Sequence, residues 1–487
     1  MNNSQAVDLQ CDFGRSVVRY LQGNKYHPFA FLQILQTMKP HTRTAQTAEM
    51  FRPRLDEQLK MQHPLVRLAG LMDWELIEHH FAGHFTSGRG RPALPPRLVA
   101  GLLYLQHAND ASDEMVVNTW LENPYWQFFT GETYLQTELP IDPSSLTRWR
   151  KRIGEEGVEL LLAVTIEAAR AAGLIKRASL DKVIVDTTVM PKAIAHPTDS
   201  RLLERSRQHM VKFAQDHGLN LRQNYNREAP RLATQVGRYA HAKQYKRMRA
   251  AIKTLRTRVG RVQRDVQRQL VKLPEQVQAK GQDLLQRVGC ILTQKTKDKN
   301  KLYALHAPEV ECISKGKARN PYEFGVKVTL ATTLKEGLVV GMRSMPGNPY
   351  DGHTLDETIE QVSILANQRP RTVMVDKGYK GAEVEGVQIL RSGQRRGVTR
   401  TMKAMIKRRS AIEPTIGHMK SDGRLDRNPL KGALGDALHA VLCGAGHNIR
   451  LLLSLLRLFV AHLRAIVLAW LGRSASGYTP QVALAAA

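Results

Sequence analysis

The hydrophobic pattern changes period along the chain. From about His63 to Gly154, apolar residues recur at three- and four-residue steps, as in LVRLAGLMDWELIEHHF and PPRLVAGLLYLQHAND, which predicts amphipathic helices. Pro95 and Pro96 suit a helix start. EMVVNTWLENPYWQFFTG predicts another helix. In IDPSSLTRWRKRIG, Asp142 or Ser144 can cap a helix bearing Arg148, Arg150, Lys151 and Arg152. Residues 155–175, EEGVELLLAVTIEAARAAGLI, predict a strongly amphipathic helix. The pattern then becomes a β-branched run in VIVDTTVM, a buried strand that delivers Asp186 to the edge of a core. Residues 199–280 return to a polar helical pattern, with Ile252, Leu255, Val259, Val262 and Val266 as a narrow apolar seam. From 301 the period shortens again. LYALHAPEVECIS, PYEFGVKVTLATT and GLVVGMRSMPG predict strands, with turns at EGL and GNPYDG. HTLDETIEQVSILANQ predicts a helix, and TVMVD a further buried strand ending on Asp376.

The order of strand, helical insertion, three strands, helix, strand and helix predicts an α/β fold. It matches an RNase H-like mixed sheet flanked by helices, in which the strands of Asp186 and Asp376 are neighbours. The expected organisation is an N-terminal arm (1–60), an all-helical DNA-binding or dimerisation domain (61–155), a catalytic domain (176–198 and 300–455), a basic helical insertion (199–299) and a C-terminal helix and tail (456–487).

Charge changes this picture most. The 487 residues carry 72 Lys and Arg against 44 Asp and Glu, a net charge of +28, which implies a polyanionic partner. Residues 201–280 hold 20 Lys and Arg against five acids, more than half of that excess in about a sixth of the chain. The insertion, with Lys246, Arg247 and Arg249 among its cations, is therefore expected to face the DNA backbone, and Arg148, Arg150, Lys151 and Arg152 form a second candidate DNA surface. The C-terminal Arg450, Arg457 and Arg464 fall seven apart and read as the wet side of a packed helix. Cys11, Cys290, Cys312 and Cys443 show no CxxC spacing, so a zinc finger or disulfide framework is not indicated. The N-terminus lacks a signal-peptide pattern, and Arg457 and Arg464 interrupt the most apolar segment. A soluble, intracellular protein not associated with a membrane is expected.

Asp186, Asp376 and Glu413 are the candidate chemistry. Two carboxylates at adjacent strand ends repel unless a cation lies between them. Hard divalent ions such as Mg²⁺ take oxygen ligands and leave water positions that a phosphate can occupy, and a pair of them stabilises both oxygens of a phosphodiester displacement. Glu413 precedes Pro414, which places it at or just before a helix start. Ser410 and Glu413 also have capping-box spacing, the competing structural role for this glutamate.

These residues resemble the DDE transposases of bacterial insertion sequences, in the branch related to the insertion sequence five group. The family motif of Tyr, two residues, Arg, three residues, Glu, six residues, Lys is met by Arg409, Glu413 and Lys420, while Ile406 stands at the tyrosine position. VDTT, VDKGY, KGKARNPYEFGVKV and GDALHAVLCGAGHNIRLLL carry the same likeness. The resemblance implies Asp186, Asp376 and Glu413 as catalytic metal ligands for Mg²⁺ or Mn²⁺, two ions in number. It implies Arg409 and Lys420 as DNA contacts near the cleavage point. It further implies double-stranded DNA as partner, both inverted-repeat ends and target, with a homodimer in the synaptic complex. The expected reaction is hydrolysis at the element's ends, then transesterification by the freed 3′-hydroxyl. A DNA-binding protein of this fold without catalysis and an RNase H-like nuclease are the alternatives. His353, in NPYDGHTLDE, reads either as a site neighbour or as an ordinary loop histidine.

Overall fold

The computed structural model describes residues 52–83, 94–295, 297–314 and 321–470, with side chains to 458. Most of the expected arm, the GRGRP stretch, the KGKAR part of one motif and the side chain of Arg464 lie outside the described residues.

The first helices are α1 (Pro64–Leu71), α2 (Trp74–Ala82), α3 (Pro96–Ala108) and α4 (Asp113–Glu122). The two helices expected either side of Gly154 form one element, α5 (Pro143–Ala171), broken at Gly154 with φ +63°. That backbone conformation costs a residue without Cβ little. Asp142, not Ser144, caps it: its carboxylate accepts from the Ser144 N–H at 2.9 Å. Leu68, Ile77, Leu103, Val158 and Leu161 of these helices share one continuous core with Val183, Val339 and Val373 of the sheet.

The sheet is mixed. β1 (Lys182–Pro191) lies at its centre. β3 (Tyr322–Thr333) pairs with it antiparallel over Gly325–Thr333, with Asp186 opposite Leu330. The far edge of β3 carries β2 (Glu311–Ser314) and β4 (Val339–Met345), both antiparallel. On its other side β1 pairs in parallel with β5 (Thr372–Val375), which pairs in parallel with β6 (Gln388–Arg391). The expected strand over LYALHAPEVECIS is confined to its end, β2, and β6 was not foreseen. Gly325 stands opposite Pro191, where an added Cβ would collide with the Met190 carbonyl oxygen, so glycine lets the two strands close up. Val183, Ile184 and Val185 are buried. Each contributes about 1.5–3 kcal/mol over its exposed state, so the position of Asp186 is fixed by the residues before it.

The insertion comprises α6 (Asp199–Asp216), α7 (Glu228–His241), α8 (Tyr245–Leu270) and α9 (Glu275–Thr293). The predicted seam is internal to it: Leu255, Val259, Val262 and Val266 pack with Leu203, Met210, Val288 and Ile291 in a second core. The remaining longer elements are α10 (Leu355–Leu365), α11 (Arg400–Arg408), α12 (Ile412–Ser421) and α13 (Gly432–Trp470). Residues Gly432–Leu458 are long and apolar enough to cross a bilayer, and 61% of the apolar window is buried inside the molecule. The helix packs on α3, α5 and β4. Buried Asn448 ties it down, donating to Thr165 Oγ1 at 2.9 Å and to the Val339 carbonyl at 2.8 Å while accepting from the Val339 N–H at 2.9 Å. Arg450, expected on a wet face, instead donates to the carbonyls of His107 (3.1 Å) and Asp422 (2.9 Å); Arg457 is exposed.

Candidate active site

Two aspartates reach the site by one geometric rule. β1 and β5 pair in parallel with a constant offset, Lys182 opposite Thr372 through Ile184 opposite Met374. Continuing that register two steps brings Asp376 beside Asp186. β5 ends at Val375, and Asp376 caps the short turn Lys377–Tyr379. β1 runs on past Asp186, whose Oδ1 accepts from the Thr187 N–H at 2.8 Å. Glu413 comes from elsewhere, the first turn of α12. Its helix begins after Ala411, and Ser410 donates to the Lys407 carbonyl at 3.1 Å, so the capping box does not form. The glutamate side chain is 64% exposed and needs another role.

Arg409 connects the two parts. Its guanidinium donates from Nη1 to Asp186 Oδ2 at 3.0 Å and from Nη2 to Glu413 Oε1 at 3.1 Å, and it is 12% exposed. The Asp186 carboxyl is raised above the usual aspartate range, first by burial and then by the charges of Asp376 and Asp351; the Thr187 N–H and Arg409 oppose this. Among the described residues, Asp186, Asp376 and Glu413 do not bring three donor oxygens within 4.8 Å of one another. The arginine sits between two of them instead.

Asp351 is a fourth acid that sequence reasoning missed. It lies on the turn Asp351–Thr354, and its Oδ1 accepts from Thr187 Oγ1 at 3.0 Å and Lys327 Nζ at 3.0 Å. Lys327 also donates to the Pro349 carbonyl at 2.7 Å, which locks the turn onto β3. A lysine within the buried strand VKVTLATT was the available signal, whereas NPYDG reads from sequence as only a turn. Tyr379 closes the floor. Burial, then Asp186 and Asp351, push its phenol up, so it stays protonated at neutral pH. His353 is exposed, with its ring edge-on to Tyr350 at 5.4 Å. Lys420, two turns beyond Glu413, has its ammonium 3.8 Å from Glu323 of β3.

The predicted DNA-facing cations divide. Lys246, Arg247 and Arg249 are exposed on α8. Further along the same helix Arg261, Arg264 and Arg268 join Arg222 and Tyr225 around a cleft of about 300 Å³. Arg148 and Lys151 are exposed, and Arg152 is half-buried over the Trp149 ring at 5.4 Å. Arg150 corrects the expectation. It is 3% exposed, and its guanidinium is held by Asp113 at 3.0 Å and by Gln106. Burial of a guanidinium requires such partners, and they leave it no DNA-facing role.

Two stretches of the chain match families of known proteins. Residues 53–152 match a transposase domain and residues 291–449 the transposase DDE domain. An uncharacterized protein, ORF8 in the nfe locus of Rhizobium meliloti, is 50% identical over 208 residues, 43% of this chain and the whole of that protein. No solved structure matches the chain. A conserved-domain match that contains Asp376, Glu413 and Arg409, preceded by a matching N-terminal transposase domain, identifies the enzyme: the chain belongs to the DDE transposases of insertion sequences and is a DDE-type polynucleotidyl transferase.

Proposed function

We propose that this transposase binds the terminal inverted repeats of its element, cleaves the ends hydrolytically and joins the freed 3′-hydroxyls to target DNA by transesterification. The observation that carries this reading is the tether that Arg409 makes between Asp186 and Glu413, with the charge of Asp376, just past the end of the parallel neighbour β5, bearing on Asp186. The strand order β4-β3-β1-β5-β6, with β3 alone reversed between β1 and β4, supports an RNase H-like catalytic domain of residues 176–198 and 300–455. Residues 61–155 and the 199–299 insertion are its DNA-handling parts on this reading.

The donor set fits a hard divalent cation. Asp186, Asp376, Asp351 and Glu413 offer only oxygens, and two nearby cations, Arg409 and Lys327, leave the acids in excess. Bound Mg²⁺ or Mn²⁺, two ions on this reading, would activate water and stabilise the charge developing on the scissile phosphate. Asp186 and Asp376 would hold such ions from the rigid strands, and Glu413 from the exposed first turn of α12. Arg409 orients both acids and can give a donor to a phosphate oxygen as DNA enters. Lys420 adds a point charge two turns on. The exposed cations of α8 grip flanking backbone. Two ends must be brought together, which calls for a homodimer on DNA.

Strand transfer tests the reading. Full-length protein with an inverted-repeat duplex and supercoiled target is expected to give covalently joined products with Mg²⁺ or Mn²⁺. Asp376→Asn is expected to abolish joining and retain end binding. Joining by that variant would overturn the assignment.

A further inference from the structure

A second donor cluster lies away from the carboxylates, where α3 meets α13. His107, His439 and Cys443 are each at most 2% exposed, and one donor atom from each lies within 4.8 Å of the others. His439 and Cys443 are four apart on α13, so both face one way. His107 reaches them because the helices touch at backbone distance: a Cβ on Gly446 would sit 2.6 Å from the His107 backbone.

The hydrogen bonds prepare both imidazoles as ligands. His107 Nδ1 lies 3.0 Å from the Leu103 carbonyl, and His439 Nε2 lies 3.0 Å from the Arg424 carbonyl. A carbonyl can only accept, so these nitrogens carry the protons and the other nitrogen of each ring presents a lone pair. Metal-bound histidines are held in this way, with the remote N–H on a backbone carbonyl. A cavity of about 240 Å³ borders both histidines, with Gln106, Asp113 and Arg150 in its wall.

We propose that His107, His439 and Cys443 hold one zinc ion, with water from the cavity as fourth ligand. Two nitrogens and a thiolate suit zinc and not Mg²⁺. Tetrahedral zinc would draw the donors to roughly 3.4–3.8 Å apart. The ion would clamp α3 to α13 and so hold the N-terminal helices to the helix that backs the sheet. The proposal is independent of the reaction the carboxylates perform.

Cobalt(II) separates this site from the carboxylates, because only a thiolate ligand gives a sulfur-to-cobalt charge-transfer band. Full-length protein, stripped with a chelator and titrated with Co²⁺, is expected to develop that band up to one equivalent per chain and lose it when Zn²⁺ is added. Cys443→Ala is expected to lack the band, and Cys312→Ala to keep it. His439→Gln keeps the thiol and is expected to weaken Co²⁺ binding by more than about tenfold. Absence of the band in the wild-type protein, its survival in Cys443→Ala, or undiminished affinity in His439→Gln would each overturn the proposal; the wild-type titration decides even where a variant does not fold.

Discussion

Arg409 stands between Asp186 and Glu413, 3.0 Å from one carboxylate and 3.1 Å from the other. One planar guanidinium thereby joins a rigid strand to an exposed helix turn, and a lysine cannot span both acids with the same geometry. Arg409→Lys is expected to lower the end-cleavage rate by about 10²-fold with unchanged thermal stability, because displacement of a catalytic group by ~1 Å costs that much. Single-turnover cleavage and a melting curve on the same preparation check this.

Asp351 is held by Thr187 and Lys327 and lies close enough to Asp186 to raise its carboxyl. Asp351→Asn removes a negative charge and keeps the size. The expected outcome is a rise of about tenfold or more in the Mg²⁺ concentration for half-maximal cleavage, since metal-site partners contribute 10–100-fold in affinity. Cleavage measured across a Mg²⁺ titration reads it directly.

Exposed and buried cations should behave oppositely. Lys246, Arg247 and Arg249 are exposed on α8. Replacing all three with Gln is expected to reduce the slope of log affinity against log salt by about 0.9 per lost phosphate contact, hence by up to about 2.7. Arg150 is buried against Asp113 and Gln106. Arg150→Ala is expected to cost about 3–5 kcal/mol of stability by leaving Asp113 unpaired, whereas Arg148→Ala should stay within about 0.5 kcal/mol. Fluorescence anisotropy against salt and urea denaturation distinguish the two classes.

Stability should fall on acidification through a specific window. Burial holds His439 at about 3 and His447 at about 4, against 6.5 when unfolded, and His107 well below that value too. The unfolded chain therefore binds protons that the folded chain refuses. The stability from these groups is fully present above pH ~6.5 and is lost as pH falls toward their folded values, for His439 and His447 by on the order of 3 kcal/mol each. Melting temperatures from pH 7 to pH 4 should drop steeply, and His447→Gln should flatten that dependence.

The strands bearing Asp186 and Asp376 were legible because runs of β-branched and apolar residues must be buried, and each run ends on a single acid. Helical periodicity likewise gave the long elements. What escaped depends on contacts distant in sequence. β6 is only QILR between turns, too short to show a period. LYALHAPEVECIS has strand-like composition yet only its last four residues pair. The burial of Arg150 depends on Asp113, 37 residues earlier, and nothing in RWRKR separates it from its exposed neighbours. An apolar seam on a helix does not by itself name its partner; α6 and α9 cover that of α8. Glu413 and Arg409 were found through family resemblance, because an exposed glutamate near a helix start has several ordinary uses.

The central claim is that Asp186, Asp376 and Glu413 act together on DNA. Its most direct test is divalent-dependent nicking of an inverted-repeat end by the wild-type chain and by Asp186→Ala, with end binding measured in parallel. The expected result is nicking by the wild type only with Mg²⁺ or Mn²⁺, and loss of nicking with retained binding in the variant. Nicking by Asp186→Ala at the wild-type rate would contradict it.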